Sequence, residues 1–308
     1  MPRLAPPRPA RPLPVPFDDE RMNPAIMPLP LTPIDAATAF GERAPSRFSR
    51  LVWALTVSGD VPQPRRKAIR KHFAKRCAGP FDVTAGGIAF RAYPAENRDD
   101  RMLVGRGELP EAEEHALIAP LLKPGMIFVD IGANVGTYAL YVATRAGPGA
   151  RVLAFEPHPR TFAKLAYNLH ANGAGNVAAM NLAIAAEPGT MELYSDGGGN
   201  IGHASLLREG AGEVRGSHAV KVAPLAAILA EDGIDAVDLL KIDVEGFEDH
   251  ALLPFFDQAP ERLWPKAILI ETVLSILWQR DCLAVLADRG YRRAGETAEN
   301  VLLVRGTH

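Results

Sequence analysis

The chain has 308 residues, which is enough for one sizeable α/β domain with an extension. Hydrophobic residues make up 47% of the sequence and charged residues 23%, a balance typical of globular domains. The formal net charge is −2, so the chain as a whole has no electrostatic attraction to nucleic acid or to an anionic membrane surface.

Membrane-spanning and disulfide-stabilised classes are also disfavoured. The sequence contains no apolar run of about 18 or more residues, which a transmembrane helix requires. Its N-terminus is basic and proline-rich and lacks the apolar segment of a secretory signal. Cys77 and Cys282 offer neither a metal-ligand spacing nor a disulfide framework, so we expect a protein of the reducing cytoplasm.

The first 124 residues predict a tail and then a small extension. Residues 1–35 are dense in proline, which removes backbone donors and breaks helices and sheets, so we expect a disordered tail. Residues 36–124 are expected to form a helical and hairpin extension. Helical patterns cover 46–57, 64–77 and 110–122, and a hairpin around Gly86-Gly87 is predicted to pair 81–83 with 88–93.

The helical pattern 64–77 is strongly basic. Ile69, Phe73 and Cys77 recur on one face, which predicts a helix docked through that face with its charges in solvent. An alternative is contact with a phosphate-rich partner or a membrane surface. The cationic residues of this pattern are Arg65, Arg66, Lys67, Arg70, Lys71, Lys75 and Arg76.

Residues 125–308 alternate between strand and helix patterns. Such alternation predicts a Rossmann-like α/β domain with a largely parallel sheet covered on both faces, and ligands bind such sheets beyond the carboxyl ends of the strands. The predicted strands are 126–131, 151–155, 177–182, 220–222, 238–242, 267–271 and a closing antiparallel pair, 291–294 with 301–305. The predicted helices are 136–145, 159–171, 224–231, 248–256 and one that ends near residue 288.

The turn after the first of these strands reads D-x-G-x-x-x-G from Asp130 to Gly136. A dinucleotide site prefers G-x-G-x-x-G, whose middle glycine makes room for a pyrophosphate. Here Asn134 crowds a pyrophosphate but can hydrogen-bond an amino acid moiety, and the charge of Asp130 suits an ammonium or a sulfonium. Glu156, at the tip of the next strand, is placed to accept hydrogen bonds from ribose hydroxyls.

This combination favours S-adenosylmethionine over NAD as the cofactor. Taken singly, the glycines could form a plain strand-to-helix turn and Glu156 could cap a helix. The predicted cofactor-binding residues are Asp130, Gly132, Ala133, Asn134, Gly136 and Glu156.

Candidate catalytic residues follow later strands. Methyl transfer to a hydroxyl requires a group that removes the proton, and the candidates are Asp243, then Glu245, then Glu271. Each carboxylate could instead cap a helix. His203, in a glycine-rich stretch, is a further candidate base, although it could be an ordinary surface histidine. These carboxylates could bind Mg²⁺, but no ligand spacing demands a metal and none is predicted.

The chain resembles the FkbM family of methyltransferases from about residue 95 onward. The resemblance rests on FVDIGANVGTYAL (128–140), AFEPHP (154–159), NLAIAAEPGTMELY (181–194), ILIE (268–271), NVLLV (300–304) and, most specifically, LLKIDVEGFE (239–248). It implies a class I methyltransferase fold with a mostly parallel seven-stranded sheet, S-adenosylmethionine as donor, and usually O-methylation of a small molecule, sugar or glycan. One departure is Leu225-Ala226, where the family usually has Leu-Asp.

We therefore expect a methyltransferase that acts on a small polar molecule or a saccharide. A protein or RNA methyltransferase remains an alternative, although the basic residues cluster in a single helix, which disfavours nucleic acid. The fold class would also accommodate a non-catalytic S-adenosylmethionine-binding module or a NAD-dependent oxidoreductase. Asn134, in place of a middle glycine, argues against the oxidoreductase.

Overall fold

A computed structural model describes residues 33–195 and 203–306 of the chain. Most of the predicted disordered tail and the glycine-rich stretch 196–202 lie outside the described residues. The N-terminal elements are α1 (Arg47–Val57), α2 (Gln63–Phe73), β1 (Phe81–Ala85), β2 (Ile88–Ala92), α3 (Arg98–Arg106) and α4 (Ala112–Ile118). The predicted helices and hairpin of this region are confirmed, with ends displaced by a few residues.

Helix α3 was missed by the sequence-based prediction. Its sequence, RDDRMLVGR, shows little apolar periodicity because several of its buried positions are charged and held by polar contacts. Two local signals mark its ends. Asn97 caps the N-terminus by accepting a hydrogen bond from the backbone N–H of Asp99, and Gly107 closes the C-terminus with φ of 70°.

The predicted alternation of strands and helices is confirmed over the rest of the chain. The strands are β3 (Ile127–Ile131), β4 (Arg151–Phe155), β5 (Val177–Met180), β6 (Ala183–Ile184), β7 (Gly189–Ser195), β8 (Gly216–Ala223), β9 (Leu239–Ile242), β10 (Ala267–Glu271), β11 (Tyr291–Glu296) and β12 (Asn300–Arg305). The helices are α5 (Thr137–Arg145), α6 (Pro159–Ala171), α7 (Leu225–Glu231), α8 (Glu248–Gln258) and α9 (Cys282–Asp288), with short 3₁₀ turns at Ala119–Leu121, Glu261–Leu263 and Ser275–Leu277.

The main sheet has seven strands in the order β11-β12-β10-β9-β3-β4-β5. Neighbouring strands from β10 to β5 are parallel, whereas β12 is antiparallel to both β10 and β11. The predicted class I fold is therefore confirmed. The central strands are buried on both faces, as their continuous apolar sequences require, and their carboxyl ends meet at one edge of the sheet.

A second sheet was only partly predicted. Its order is β6-β8-β7, and the sequence predicts within it only the strand 220–222, which lies inside β8. Strand β7 was missed and β8 was predicted too short because both strands are half exposed, so alternation rather than a continuous apolar run marks them. The backbones of Tyr194 and Ser205 exchange hydrogen bonds of 2.8 and 3.0 Å, which ties the segment after residue 202 to the end of β7.

The extension shares an apolar core with the α/β domain. Trp53, Phe90 and Leu103 of the extension belong to the same buried cluster as Phe128 of β3. Helices α1 and α3 cross so closely that a Cβ at Gly105 would lie 2.5 Å from the backbone nitrogen of Ala54. This packing places α3 and the residues before it at the edge of the sheet where the strands end.

Buried ion pairs fasten the extension to α6 and stabilise the hairpin within it. Glu96 lies 2.8 Å from Arg160 and 3.1 Å from Lys164, and the Lys164 side chain is 1% exposed. In the hairpin, Arg91 forms two hydrogen bonds to Asp82, of 2.8 and 2.9 Å. Within the described ranges, no helix combines the length and apolarity needed to cross a bilayer.

Candidate active site

A cleft of about 270 Å³ lies at the carboxyl ends of β3, β4, β9 and β10. This is the edge at which parallel α/β sheets bind ligands, and the volume approaches that of common small-molecule pockets. Of the predicted cofactor residues, four line the cleft, namely Gly132, Ala133, Asn134 and Glu156. Asp130, in β3, and Gly136, the N-cap of α5, do not line it.

The turn after β3 follows its course because Gly132 lacks a side chain. Gly132 has φ of 81°, and a Cβ there would lie 1.9 Å from the backbone oxygen of Asp243. The N–H groups of Gly132 and Ala133 both donate to the backbone oxygen of Phe155, at 3.0 and 2.9 Å. The turn is thus held between β4 and β9, and the absence of a Cβ lets its backbone pass directly against the carbonyl of Asp243 at the end of β9.

Glu156 is held at the cleft wall by backbone hydrogen bonds. Its carboxylate accepts from the N–H of Asn134 at 2.9 Å and from the N–H of His158 at 2.8 Å. Burial raises the pKa of Glu156 to about 7, and these two hydrogen bonds act in the opposite direction. Each carboxylate oxygen retains acceptor capacity, so the residue fits a ligand that donates two hydroxyl hydrogen bonds, as a ribose does.

Asp130 lies beneath the cleft and is fully buried. Neither of its carboxylate oxygens has a hydrogen-bond partner among the described residues, and Lys241 Nζ lies 3.9 Å from one of them. Burial raises the pKa of Asp130 to about 6, while the ammonium of Lys241 opposes this shift. The Lys241 ammonium therefore compensates part of the charge of Asp130, and the remaining negative potential beneath the cleft is compatible with a sulfonium cofactor above it.

Asn134 connects the turn to helix α3, a contact that the sequence did not reveal. Its side-chain amide donates to Asp99 at 3.0 Å and accepts from Asn97 at 2.8 Å. Both ends of the amide are therefore engaged by the extension. Asn97 and Asp99 line the cleft themselves. The N-cap pattern at Asn97 signals the start of a helix, but not that this helix lies beside the cleft.

Backbone strain is concentrated in the cleft. Within the described ranges, the non-glycine residues with positive φ are Glu111, Asn134 and Glu245, at 56°, 48° and 55°. All three line the cleft. Such conformations cost of order 1–3 kcal/mol each and cluster at functional sites, where the surrounding structure enforces them.

Strand β9 delivers Lys241 and Asp243 to the floor of the cleft. Lys241 Nζ donates to the backbone oxygen of Gly132 at 3.1 Å and lies 3.3 Å from Asp243 Oδ2. Burial lowers the pKa of Lys241, but the charges of Asp243 and Asp130 outweigh burial and raise the pKa above its ordinary value. Lys241 was missed as a site residue, although it stands in the motif that also supplies Asp243.

Glu245 and His203 form a hydrogen-bonded pair at the cleft. His203 Nδ1 lies 3.0 Å from Glu245 Oε1. The hydrogen bond to Glu245 raises the pKa of His203, and burial opposes the shift. The segment that carries His203 is anchored below, since the Ser205 hydroxyl donates to the backbone oxygen of Glu245 at 2.8 Å. A Cβ at Gly210 would lie 2.1 Å from that same oxygen.

Glu271 ends β10 and lines the same cleft. Its side chain is nearly buried, and Oε2 has no hydrogen-bond partner among the described residues. Burial, together with the charges of Asp243, Glu245 and Glu248, raises the pKa of Glu271 to about 10, so the group is protonated at neutral pH.

Glu248 has a structural role. Its carboxylate accepts from the N–H groups of Val244 and Gly246 at 3.0 and 3.2 Å and from the indole of Trp278 at 2.7 Å. Within the described ranges, no group of three or more His, Cys, Asp or Glu residues is arranged to hold a metal ion. Ala226 packs against the apolar core and does not line the cleft, so the departure from the family pattern at this position removes no group from the cleft wall.

The strand order and the cleft beyond the carboxyl ends of the central strands define a class I methyltransferase fold. Residues 130–292, more than half of the chain, match the Methyltransferase FkbM domain, and the chain belongs to this family. The resemblance noted in the sequence is thereby confirmed. The family assignment also confirms the prediction of S-adenosylmethionine as the cofactor.

Three curated proteins illustrate the relationship. The chain is 30% identical over 218 residues to methyltransferase sdnD of Sordaria araneosa, covering 60% of this chain and 81% of sdnD. It is 29% identical over 170 residues to the 31-O-demethyl-FK506 methyltransferase FkbM of Streptomyces tacrolimicus, covering 47% of this chain and 64% of that protein. It is 28% identical over 172 residues to the AMB antimetabolite synthetase AmbE of Pseudomonas aeruginosa, covering 45% of this chain but only 8% of AmbE.

Proposed function

We propose that the protein transfers a methyl group from S-adenosylmethionine to a hydroxyl group of a small polar molecule or a saccharide. The observation that carries the proposal is the His203–Glu245 pair, with 3.0 Å between Nδ1 and Oε1, which lines the same cleft as the turn after β3. The name of the relative FkbM, a 31-O-demethyl-FK506 methyltransferase, supports an oxygen atom as the acceptor.

In this proposal Gly132, Ala133, Asn134 and Glu156 contact the cofactor. The bound cofactor supplies a methyl group on a sulfonium, which is already reactive, so the protein mainly has to align the acceptor and exclude water. Glu156 accepts hydrogen bonds from ribose hydroxyls, and Gly132 lets the turn that lines the cleft pack against the backbone of Asp243. Asp130 acts from beneath the cleft, where its charge compensates a cation without touching it.

His203 removes the proton of the acceptor hydroxyl. Glu245 accepts a hydrogen bond from the Nδ1–H of His203, which leaves Nε2 as the ring nitrogen that can take up a proton. As the proton moves to Nε2, the Glu245 carboxylate stabilises the imidazolium that forms. Asp243, held by Lys241, is placed to orient the acceptor hydroxyl.

Two measurements test this function. Titration calorimetry with S-adenosylhomocysteine should show saturable binding, while NAD should not bind. Methyl transfer is then measured from labelled S-adenosylmethionine to a panel of hydroxylated acceptors. For His203→Gln, kcat should fall about 10²–10⁴-fold, while the affinity for S-adenosylhomocysteine should not change.

The matched control is His170→Gln, which removes an exposed histidine at the end of α6 and should leave the rate unchanged. If S-adenosylhomocysteine binds and acceptors are methylated equally by wild type and His203→Gln, the assignment of His203 as base is wrong. If binding occurs without transfer to any acceptor class, a non-catalytic cofactor-binding module replaces the proposal.

A further inference from the structure

A second cavity, of about 490 Å³, adjoins the cleft, and His203 lines both. One side of this cavity comes from α2, which contributes Lys67 and Arg70. The opposite side comes from the segment 210–215, which ends in Arg215. The basic helix predicted from the sequence therefore does more than expose its charges to solvent, because two of its cations line a cavity beside the cleft.

The arrangement follows from how α2 packs. Ile69 and Phe73 pack against the core shared with the domain, as the sequence predicted. Lys67 and Arg70 are three residues apart and so project from one side of the helix. The cations outside this cavity include Arg65 and Lys71, which are exposed on the same helix.

The positive charge in the cavity is not compensated by protein carboxylates. Glu213 is the acid in the lining, and it is already paired with Arg215 at 2.9 Å. Lys67 and Arg70 form no ion pair with any other residue of the described ranges. The pair Lys67 and Arg70 therefore contributes two unbalanced positive charges.

Two neighbouring arginines extend this cationic region. Burial, followed by the positive charge of Arg70, lowers the pKa of Arg101 to about 10. The Nε of Arg66, on the same helix, is buried without a hydrogen-bond partner among the described residues. Like charges held this close favour the binding of an anion between them.

We propose that this cavity binds a phosphate group of the methyl acceptor, with Lys67 and Arg70 as its ligands. The inference rests on the proposed function and specifies its substrate class as a phosphorylated hydroxyl compound. A phosphate dianion matches the two unbalanced charges, and a guanidinium with an ammonium supplies donors that suit its oxygens. Since His203 lines both cavities, a phosphate held here places another part of the same molecule at the His203–Glu245 pair.

The probe is inorganic pyrophosphate, titrated into the full chain loaded with S-adenosylhomocysteine at constant ionic strength. Calorimetry gives the affinity, and the NMR signals of the His203 ring report binding at this location. Wild type should show saturable binding with a shift of the His203 signals. Lys67→Gln combined with Arg70→Gln should weaken binding at least about tenfold, since two charge-assisted contacts are lost.

The matched control is Arg65→Gln combined with Lys71→Gln, which removes the same charge from the same helix outside the cavity and should change the affinity by less than about twofold. Equal weakening by both double variants would overturn the proposal, because it would mean attraction to the helix in general. The proposal would also be overturned if a single-stranded oligouridine bound more tightly than pyrophosphate and both double variants weakened its binding, because that result would indicate an RNA acceptor.

The outcomes also separate this inference from the proposed function. If wild type binds S-adenosylhomocysteine but shows no saturable response to pyrophosphate, the phosphate site is refuted and the methyltransferase assignment stands. If S-adenosylhomocysteine itself fails to bind, the proposed function fails regardless of the result with pyrophosphate.

Discussion

Replacing Gly132 by alanine separates backbone strain from steric collision in the turn after β3. At this position the new Cβ would lie 1.9 Å from the backbone oxygen of Asp243, far inside van der Waals contact, and φ is 81°. Gly147 provides a matched control in the same domain. Its φ is 78°, nearly the same, but a Cβ there would meet nothing within 4 Å.

The two variants should therefore differ by the cost of the collision alone. A left-handed alanine costs about 1–2 kcal/mol, which is the loss expected for Gly147→Ala. Relieving the collision forces β3 and β9 apart locally, and overpacking of this kind adds about 1–3 kcal/mol. Gly132→Ala should thus reduce the free energy of unfolding by about 2–5 kcal/mol.

Urea unfolding measures both losses, and titration with S-adenosylhomocysteine measures the functional effect. Gly132→Ala should weaken the binding of S-adenosylhomocysteine at least about 100-fold, because the turn after β3 lines the cleft and would be displaced. Gly147→Ala should bind like wild type. Equal unfolding free energies for the two variants, or unimpaired binding by Gly132→Ala, would refute this role of Gly132 in the turn.

Three further predictions concern buried charge. Arg91→Met should reduce the free energy of unfolding by about 3–5 kcal/mol, because the buried carboxylate of Asp82 loses its cationic partner. Adding Asp82→Asn should restore part of the loss in thermal unfolding, and a loss below about 1 kcal/mol would contradict this reasoning. Glu271→Gln should stabilise the fold, since the pKa of about 10 in the folded state lies above the ordinary carboxyl value and folding must take up a proton. The gain in the free energy of unfolding should be absent below about pH 4 and should reach about 1–3 kcal/mol at pH 8. A gain that does not depend on pH would argue against the titration of Glu271. S-adenosylhomocysteine should bind more weakly as the pH falls through about 7, because protonation of Glu156 removes a hydrogen-bond acceptor. Calorimetry on Glu156→Gln should show an affinity that depends less on pH than that of wild type. An unchanged pH dependence would assign the effect to another group.

The sequence predicted the main sheet because its strands are continuous apolar runs between glycine and proline signals. Ala267–Glu271 and Arg151–Phe155 were predicted residue for residue. The half-exposed strands β7 and β8 carry a weaker, alternating signal, and one of them was lost. Helix α3 was lost for a different reason, since charges neutralised by partners elsewhere in the chain occupy its buried face.

For the site, motif spacing identified the turn after β3 and the strand end at Asp243, because local sequence determines both. It could not identify Asn97, Asp99 or Glu111, which reach the cleft only through the packing of the extension. Nor could it show that Lys67 stands near His203, since no sequence pattern connects residues so distant along the chain.

The two adjoining cavities have opposite charge, and this difference determines how an acceptor can enter. The cleft carries the carboxylates of Asp243 and Glu245, whereas the second cavity presents Lys67 and Arg70. A phosphorylated acceptor that entered with its anionic end first would bring like charges together in a partly buried space, where the repulsion is weakly screened. The reverse orientation pairs the phosphate with the cations and leaves an uncharged hydroxyl end for the cleft. Charge alone therefore selects the orientation in which a hydroxyl, rather than the phosphate, reaches His203.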